Sequence, residues 1–204
     1  MKFFPAFLLI LVVVISCKNK AGQPAVNPAA GDSTAVTDSN ITYIPVANLI
    51  RAELKYIDSF AGGVLKKTTI NGKNDSSFIK PAQLHQEAQA FLLPELEPEA
   101  FRKSFKETSF MDETTGFLQF IYTPTGSTPS LHSVIVYVDP TSTKNDVSRI
   151  YMEKEWSAGD TLVRQKLTWK MKQYFYIITI REPQSGTPVT SIEKLIWDPF
   201  QFHE

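Results

Sequence analysis

From residue 105 to residue 197, short segments carry apolar side chains at alternating positions, and this period of two constrains the fold more than any other feature. The segments are 105–111, 116–123, 132–138, 147–156, 161–170, 173–182 and 188–197. Turn residues separate them, among them Asp112 to Thr115, Asp139-Pro140, Ser157-Ala158-Gly159-Asp160 and Pro183 to Thr187. Short strands joined by polar turns imply an antiparallel meander.

Upstream the period is that of a helix. After Pro45, Val46, Leu49, Ile50, Leu54 and Ile57 recur at steps of three and four, which predicts an amphipathic helix ending near Phe60 at Gly62-Gly63. Thr68-Thr69-Ile70-Asn71-Gly72 predicts a short strand or extended arm running into a turn. Pro81 opens a second helix with Leu84, Ala88, Phe91 and Leu92 on one stripe, ended by Pro94. Glu97-Pro98-Glu99 has the acidic start of a short third helix carrying Phe101 and Phe105. Helices first and strands afterwards give an α+β fold: two to three N-terminal helices on a six- to seven-stranded antiparallel meander sheet able to curl into a half-barrel.

Within the sheet, facing Trp156 with Thr161 sets Glu153 opposite Arg164 and Ile150 opposite Leu167, with charges on one face and apolar groups on the other. The segment Tyr174-Phe175-Tyr176-Ile177-Ile178 is apolar on both faces. It therefore reads as a central strand covered by helices on one side and by something else on the other.

The first 17 residues read as an address. Met1-Lys2 is followed by an apolar run from Phe3 to Ile15, of signal-peptide length and shorter than the roughly 20 residues that span a bilayer. Val14-Ile15-Ser16-Cys17 resembles a bacterial lipobox, with Ile15 where Ala or Ser is more usual. The resemblance implies a lipoprotein precursor: diacylglyceryl transfer to Cys17, cleavage after Ser16, and acyl chains (palmitate among them) as the membrane anchor. Lys18-Asn19-Lys20 after the Cys resembles the outer-membrane-directed class facing the periplasm. Residues 18–42 are rich in Ala, Gly, Pro, Asn, Ser and Thr with no aromatic residue, a composition too polar to offset its ordering entropy. About 25 such residues reach roughly 25–30 Å as a flexible tether. The expected organisation is a signal peptide over 1–16, lipidated Cys17 and tether over 17–42, and a single α+β domain over 43–204.

Charge and cysteine content narrow the chemistry. Removing residues 1–16 takes one cation, Lys2, from a chain with 21 basic and 21 acidic residues, leaving a formal charge of −1. Attachment to the membrane then rests on lipid, and nucleic acid is not an expected partner. One Cys excludes a disulfide framework and multi-Cys metal sites, and no cofactor is expected. His85, His132 and His203 lack the i, i+4 or i, i+2 spacing of metal-ligand pairs, and no nucleophile elbow or phosphate loop occurs. His85 reads as a helix-surface residue, His132 as a polar strand start and His203 as tail. Asp58-Ser59 reads as a cap, and Glu153 and Glu155 as part of a salt-bridged face. Catalytic and metal residues are accordingly expected to be absent. The stripe Lys166, Lys170, Lys172 reads as an exposed strand edge.

The aromatics are the candidate binding residues. Trp156, Trp169, Tyr174, Phe175 and Tyr176 crowd one three-stranded segment, with Phe117, Phe120 and Tyr122 on an earlier strand. They read either as sheet core or as a concave groove for a lipid, a hydrophobic small molecule or a peptide. With Thr68 to Ser76 and the terminal Ile196-Trp197-Asp198, the lipobox and tether also resemble small uncharacterised lipoproteins of the Bacteroidota. The leading functional expectation is a lipid-anchored binding or interaction module for a hydrophobic ligand or envelope protein. Alternatives are an accessory subunit of an envelope complex and, least favoured, a hydrolase-type enzyme built around His132. In the native host, labelled fatty acid is expected to enter the wild-type chain and not a Cys17→Ser variant; an unlabelled wild-type chain would remove the anchor.

Overall fold

The computed structural model describes residues 43–60, 63–126, 130–142 and 146–197. Cys17, the signal segment, the tether and His203 lie outside the described residues. Helix α1 (Val46–Phe60) is followed by the hairpin β1 (Val64–Ile70) and β2 (Lys73–Ile79), then α2 (Pro81–Ala88) and α3 (Pro98–Ser104). Seven strands complete the chain: β3 (Phe105–Asp112), β4 (Phe117–Pro124), β5 (Leu131–Val138), β6 (Val147–Ala158), β7 (Thr161–Lys170), β8 (Tyr174–Pro183) and β9 (Val189–Ile196). All nine strands form one open antiparallel sheet in the order β2-β1-β9-β8-β7-β6-β5-β4-β3.

The α+β class and the seven alternating segments hold, but the sheet has nine strands where six or seven were expected. The two additional strands are the β1–β2 hairpin, which returns to pair β1 with β9. Its turn is Asn71-Gly72, both at positive φ (47° and 80°), the two-residue type I′ geometry that matches strand twist. β2 gives no alternation because it is an edge strand whose first six residues are all exposed.

The expected facing of Trp156 with Thr161 is corrected by two residues: Ala158 pairs Thr161, Glu153 pairs Lys166 and Ile150 pairs Trp169. Gly159 adopts φ 65° and closes a two-residue turn with Asp160, where the expected register used four. A slip of two preserves which face each side chain occupies. The lysine stripe is also corrected, since β7 is the central strand of the nine and not an edge. Lys166 lies within it and Lys170 is its last residue, while Lys172 occupies the β7–β8 turn at φ 65°.

The helices cover one face. Val46, Ile50, Leu54 and Ile57 of α1, Leu84 and Ala88 of α2, and Phe91, Leu96 and Phe101 beyond them are buried against Val134, Val136, Ile150, Met152, Leu167, Trp169 and Phe175. At the centre Phe91 meets Trp169 edge-on (centroids 5.2 Å, 88°) and lies 5.1 Å from Phe175, while Trp169 stacks on Phe175 at 5.0 Å. Burying one such ring system removes about 200 Å² from water, an upper bound of about 5 kcal/mol. Polar contacts orient the layer. Lys66 of β1 joins Glu87 of α2 and Glu193 of β9, and the buried Glu53 carboxylate of α1 accepts the Lys172 backbone N–H in the β7–β8 turn.

A second fastening joins the start of the domain to β3 and β4. The Tyr43 hydroxyl donates to the Phe105 carbonyl at 2.8 Å, and the Ile44 N–H donates to the Tyr122 hydroxyl at 3.2 Å. Glu107 sits opposite Tyr122 in the register, and neither of its buried carboxylate oxygens reaches a hydrogen-bond partner. Burial pushes the Glu107 carboxyl up, with the nearby Tyr122 hydroxyl opposing. A raised folded-state value means that the stability Glu107 contributes is complete below the ordinary Glu range and is lost as pH rises through the raised value. Urea unfolding is therefore expected to show Glu107→Gln gaining stability relative to wild type as pH rises above the ordinary Glu range. Parallel profiles for the two proteins would contradict this.

Candidate functional site

The parity of β8 separates the aromatic candidates. Phe175 and Ile177 point to the helices and are buried, whereas Tyr174, Tyr176, Ile178 and Ile180 alternate with them on the opposite face and stay half-buried. Trp169 pairs Phe175 and shares its buried face; Trp156, two strands from β8, is on that same side, with the Lys154 ammonium 5.5 Å from its ring. The five candidates thus do not line one groove. Trp169 and Phe175 are core, Tyr174 and Tyr176 belong to the open face, and Trp156 is half-buried away from both sets. No described element covers Tyr174, Tyr176 and Ile178, which corrects the expectation of cover on both sides.

Cross-strand pairing extends the open face into two lateral rows. In the first, Tyr137, Arg149, Lys170 and Tyr174 are successive partners, and the row continues to Phe110 at the β3 edge and Phe78 at the β2 edge. In the second, Ile135, Tyr151, Thr168, Tyr176, Lys194 and Lys67 follow one another. Neither row contains an Asp or Glu. The Tyr174 and Tyr176 rings lie 6.1 Å apart and nearly parallel at 22°. Arg149 stands 3.9 Å over the Tyr137 ring and Lys194 4.4 Å over the Tyr174 ring, each a cation on an electron-rich face.

The electrostatics of the rows follow from this crowding. Burial pushes the Lys170 ammonium down and neighbouring Arg149 pushes it further, with Asp139 of the β5–β6 turn opposing. Lys170 donates to the Ser148 hydroxyl at 2.7 Å, and among the described residues neither it nor Arg149 forms an ion pair. Burial raises the Tyr151 hydroxyl, and its 2.6 Å hydrogen bond to the Glu153 carboxylate raises it further. Burial and adjacent Tyr176 raise Tyr174.

Beyond these rows the same face changes character. Glu153 pairs Lys166 across the strands, Arg164 reaches Glu155 at 2.6 Å and Glu182 at 3.0 Å, and a shallow groove of about 440 Å³ opens there. His132 lines that groove with Glu153 and Glu155 but hydrogen-bonds to neither. It stands at the register shift between Leu131 and Ser133. His85, read as a helix-surface residue, bonds Asp58 of α1 at 2.9 Å; Asp58 is thus a helix–helix tie and not the cap expected. Phe120 and Tyr122 join the helix side of the sheet, and Phe117 the other. Among the described residues no group of three His, Cys, Asp or Glu could hold a metal ion, and no helix is long and apolar enough to cross a membrane.

Sequence reasoning missed Tyr137, Tyr151 and Arg149 as companions of Tyr174 and Tyr176. Their parity was readable, but their adjacency needs the correct β6–β7 register. Comparison with known protein families, curated proteins and solved structures gives no match to this chain. Replacing Arg149 by Gln is expected to move the Lys170 titration, followed by NMR at the side-chain nitrogen, upward toward ordinary lysine; an unchanged titration would show that burial alone depresses it.

Proposed function

We propose that the protein is a lipid-anchored envelope protein, held by acylated Cys17 to the outer membrane on its periplasmic side, whose uncovered sheet face serves as a binding surface. The lipobox Val14-Ile15-Ser16-Cys17 and the polar stretch that follows support the anchor and the tether. One observation carries the binding reading: Tyr137, Tyr151, Tyr174 and Tyr176 share two cross-strand rows with Arg149, Lys170, Lys194 and Lys67, and neither row contains an acidic side chain. A solvated sheet face is stabilised by alternating charge, as Glu153 with Lys166 and Glu155 with Arg164 illustrate on the same face. Rigid aromatic rings with polar tips supply contact area at low entropic cost, a composition enriched at interfaces.

The reading is tested by photo-crosslinking in the native envelope. A benzophenone side chain at Ile178, on the open face, is expected to give an adduct, and the same group at Lys55, exposed on α1, is expected to give none. Adducts at Lys55 alone would place binding on the helical side and overturn the proposal.

A further inference from the structure

The strand order leaves β2 and β3 each with one side unpaired among the described strands. The ladder decides which residues offer their backbone on the β3 side. The Thr125 N–H donates to the Ser104 carbonyl at 2.8 Å, in line with the β3–β4 register, and hydrogen-bonded pairs recur at every second residue. Lys106, Thr108, Phe110 and Asp112 therefore turn their N–H and C=O groups to β4, while Phe105, Glu107, Ser109 and Met111 turn theirs outward. The chain itself uses Phe105, whose N–H donates to the Phe101 carbonyl and whose carbonyl accepts from the Tyr43 hydroxyl. Among the described residues nothing bonds the outward groups of Glu107, Ser109 and Met111, and the strand has neither proline nor bulge there. An edge of this kind is a template for a further strand.

We propose that this strand is β3 of a second copy of the chain, paired antiparallel about a two-fold axis at Ser109, an interface independent of the binding reading above. Centring on Ser109 sets Ser109 against itself and Glu107 against Met111 of the second copy, so all three residues gain both their backbone bonds. A centre one residue earlier sets Met111 against the occupied Phe105, and one residue later carries Glu107 past the end of the strand. The same register places Lys106, which is exposed and forms no ion pair among the described residues, opposite Asp112 of the second copy at both ends of the ladder. Thr114, Thr115 and Gln119 already hold the Asp112 carboxylate in position. Phe110 and Met111, each 48% exposed, gain cover from Thr108 and Glu107 of the second copy. The β2 edge is less well matched to itself. Its two-residue turn closes on the Ile70–Lys73 pair, which turns Asn74, Ser76 and Phe78 outward, and a centre at Ser76 sets Lys73 opposite Ile79 with no charge pair.

Sedimentation equilibrium of the full chain in density-matched nonionic detergent tests the pairing, carried to about 200 µM protein because small interfaces associate weakly. A reversible dimer is expected. Ser109→Pro removes an outward N–H and no bond within the chain, so the variant is expected to match wild type in urea unfolding and to stay monomeric. Ser76→Pro makes the equivalent change on the β2 edge and is expected to leave the dimer intact. Lys106→Glu sets two acids side by side and is expected to weaken association roughly tenfold at low salt, and less at high salt. A monomeric wild-type chain would overturn the proposal, as would a dimer that survives Ser109→Pro or is lost with Ser76→Pro. A dimer unaffected by Lys106→Glu would overturn the register, and that variant decides alone if Ser109→Pro fails to fold. Crosslinking at Ile178 is read separately, so either proposal can fail without the other.

Discussion

The contact of Phe91 with Trp169 and Phe175 decides the rest of the architecture. It fixes the helical layer over β7 and β8, near the middle of the sheet, and so determines which side of every strand is sealed. Because side chains alternate with a period of two, choosing the side for Phe175 also chooses the opposite side for Tyr174 and Tyr176. Trp197 adds to the same cluster at 5.5 Å from Trp169, bringing the end of β9 into the core. Glu53 anchors α1 to the β7–β8 turn by accepting the Lys172 N–H, although burial raises its carboxyl; a charged group is tolerated there because it satisfies a turn that needs positive φ at a non-glycine residue.

What could be read in advance was local. Alternation over 105–197 located seven strands, and the stripe after Pro45 located α1, because each pattern is written within its own segment. β2 was not readable: Lys73 to Phe78 pair with β1 alone and face water throughout, so nothing selects apolar residues at alternate positions. The β6–β7 register failed for a related reason. Ser157 to Asp160 all look like turn residues, yet the turn uses only Gly159 and Asp160, and β6 runs two residues further than the local pattern indicates, to Ala158. The open-face rows lay further still beyond reach, since they exist only once five to nine strands are in register.

The open face shows two regimes of charge. Around Arg164 the sheet behaves as a solvated surface should, with Glu155 and Glu182 flanking the guanidinium. Around Arg149 and Lys170 it does the opposite, and a depressed Lys170 is the local cost of that arrangement. Stability alone would favour an acid at one of these positions. The sheet keeps both cations and frames them with Tyr137 and Tyr174.

The partition of aromatic side chains by the sheet is the central claim, and hydroxyl-radical footprinting of the full chain with mass-spectrometric readout tests it most directly. Oxidation is expected at Tyr174, Tyr176 and Tyr137, with Trp169 and Phe175 protected although they neighbour those tyrosines in sequence or space. Oxidation of Trp169 and Phe175 together with protection of Tyr174 and Tyr176 would mean that the helices pack on the other face, and the account would fail.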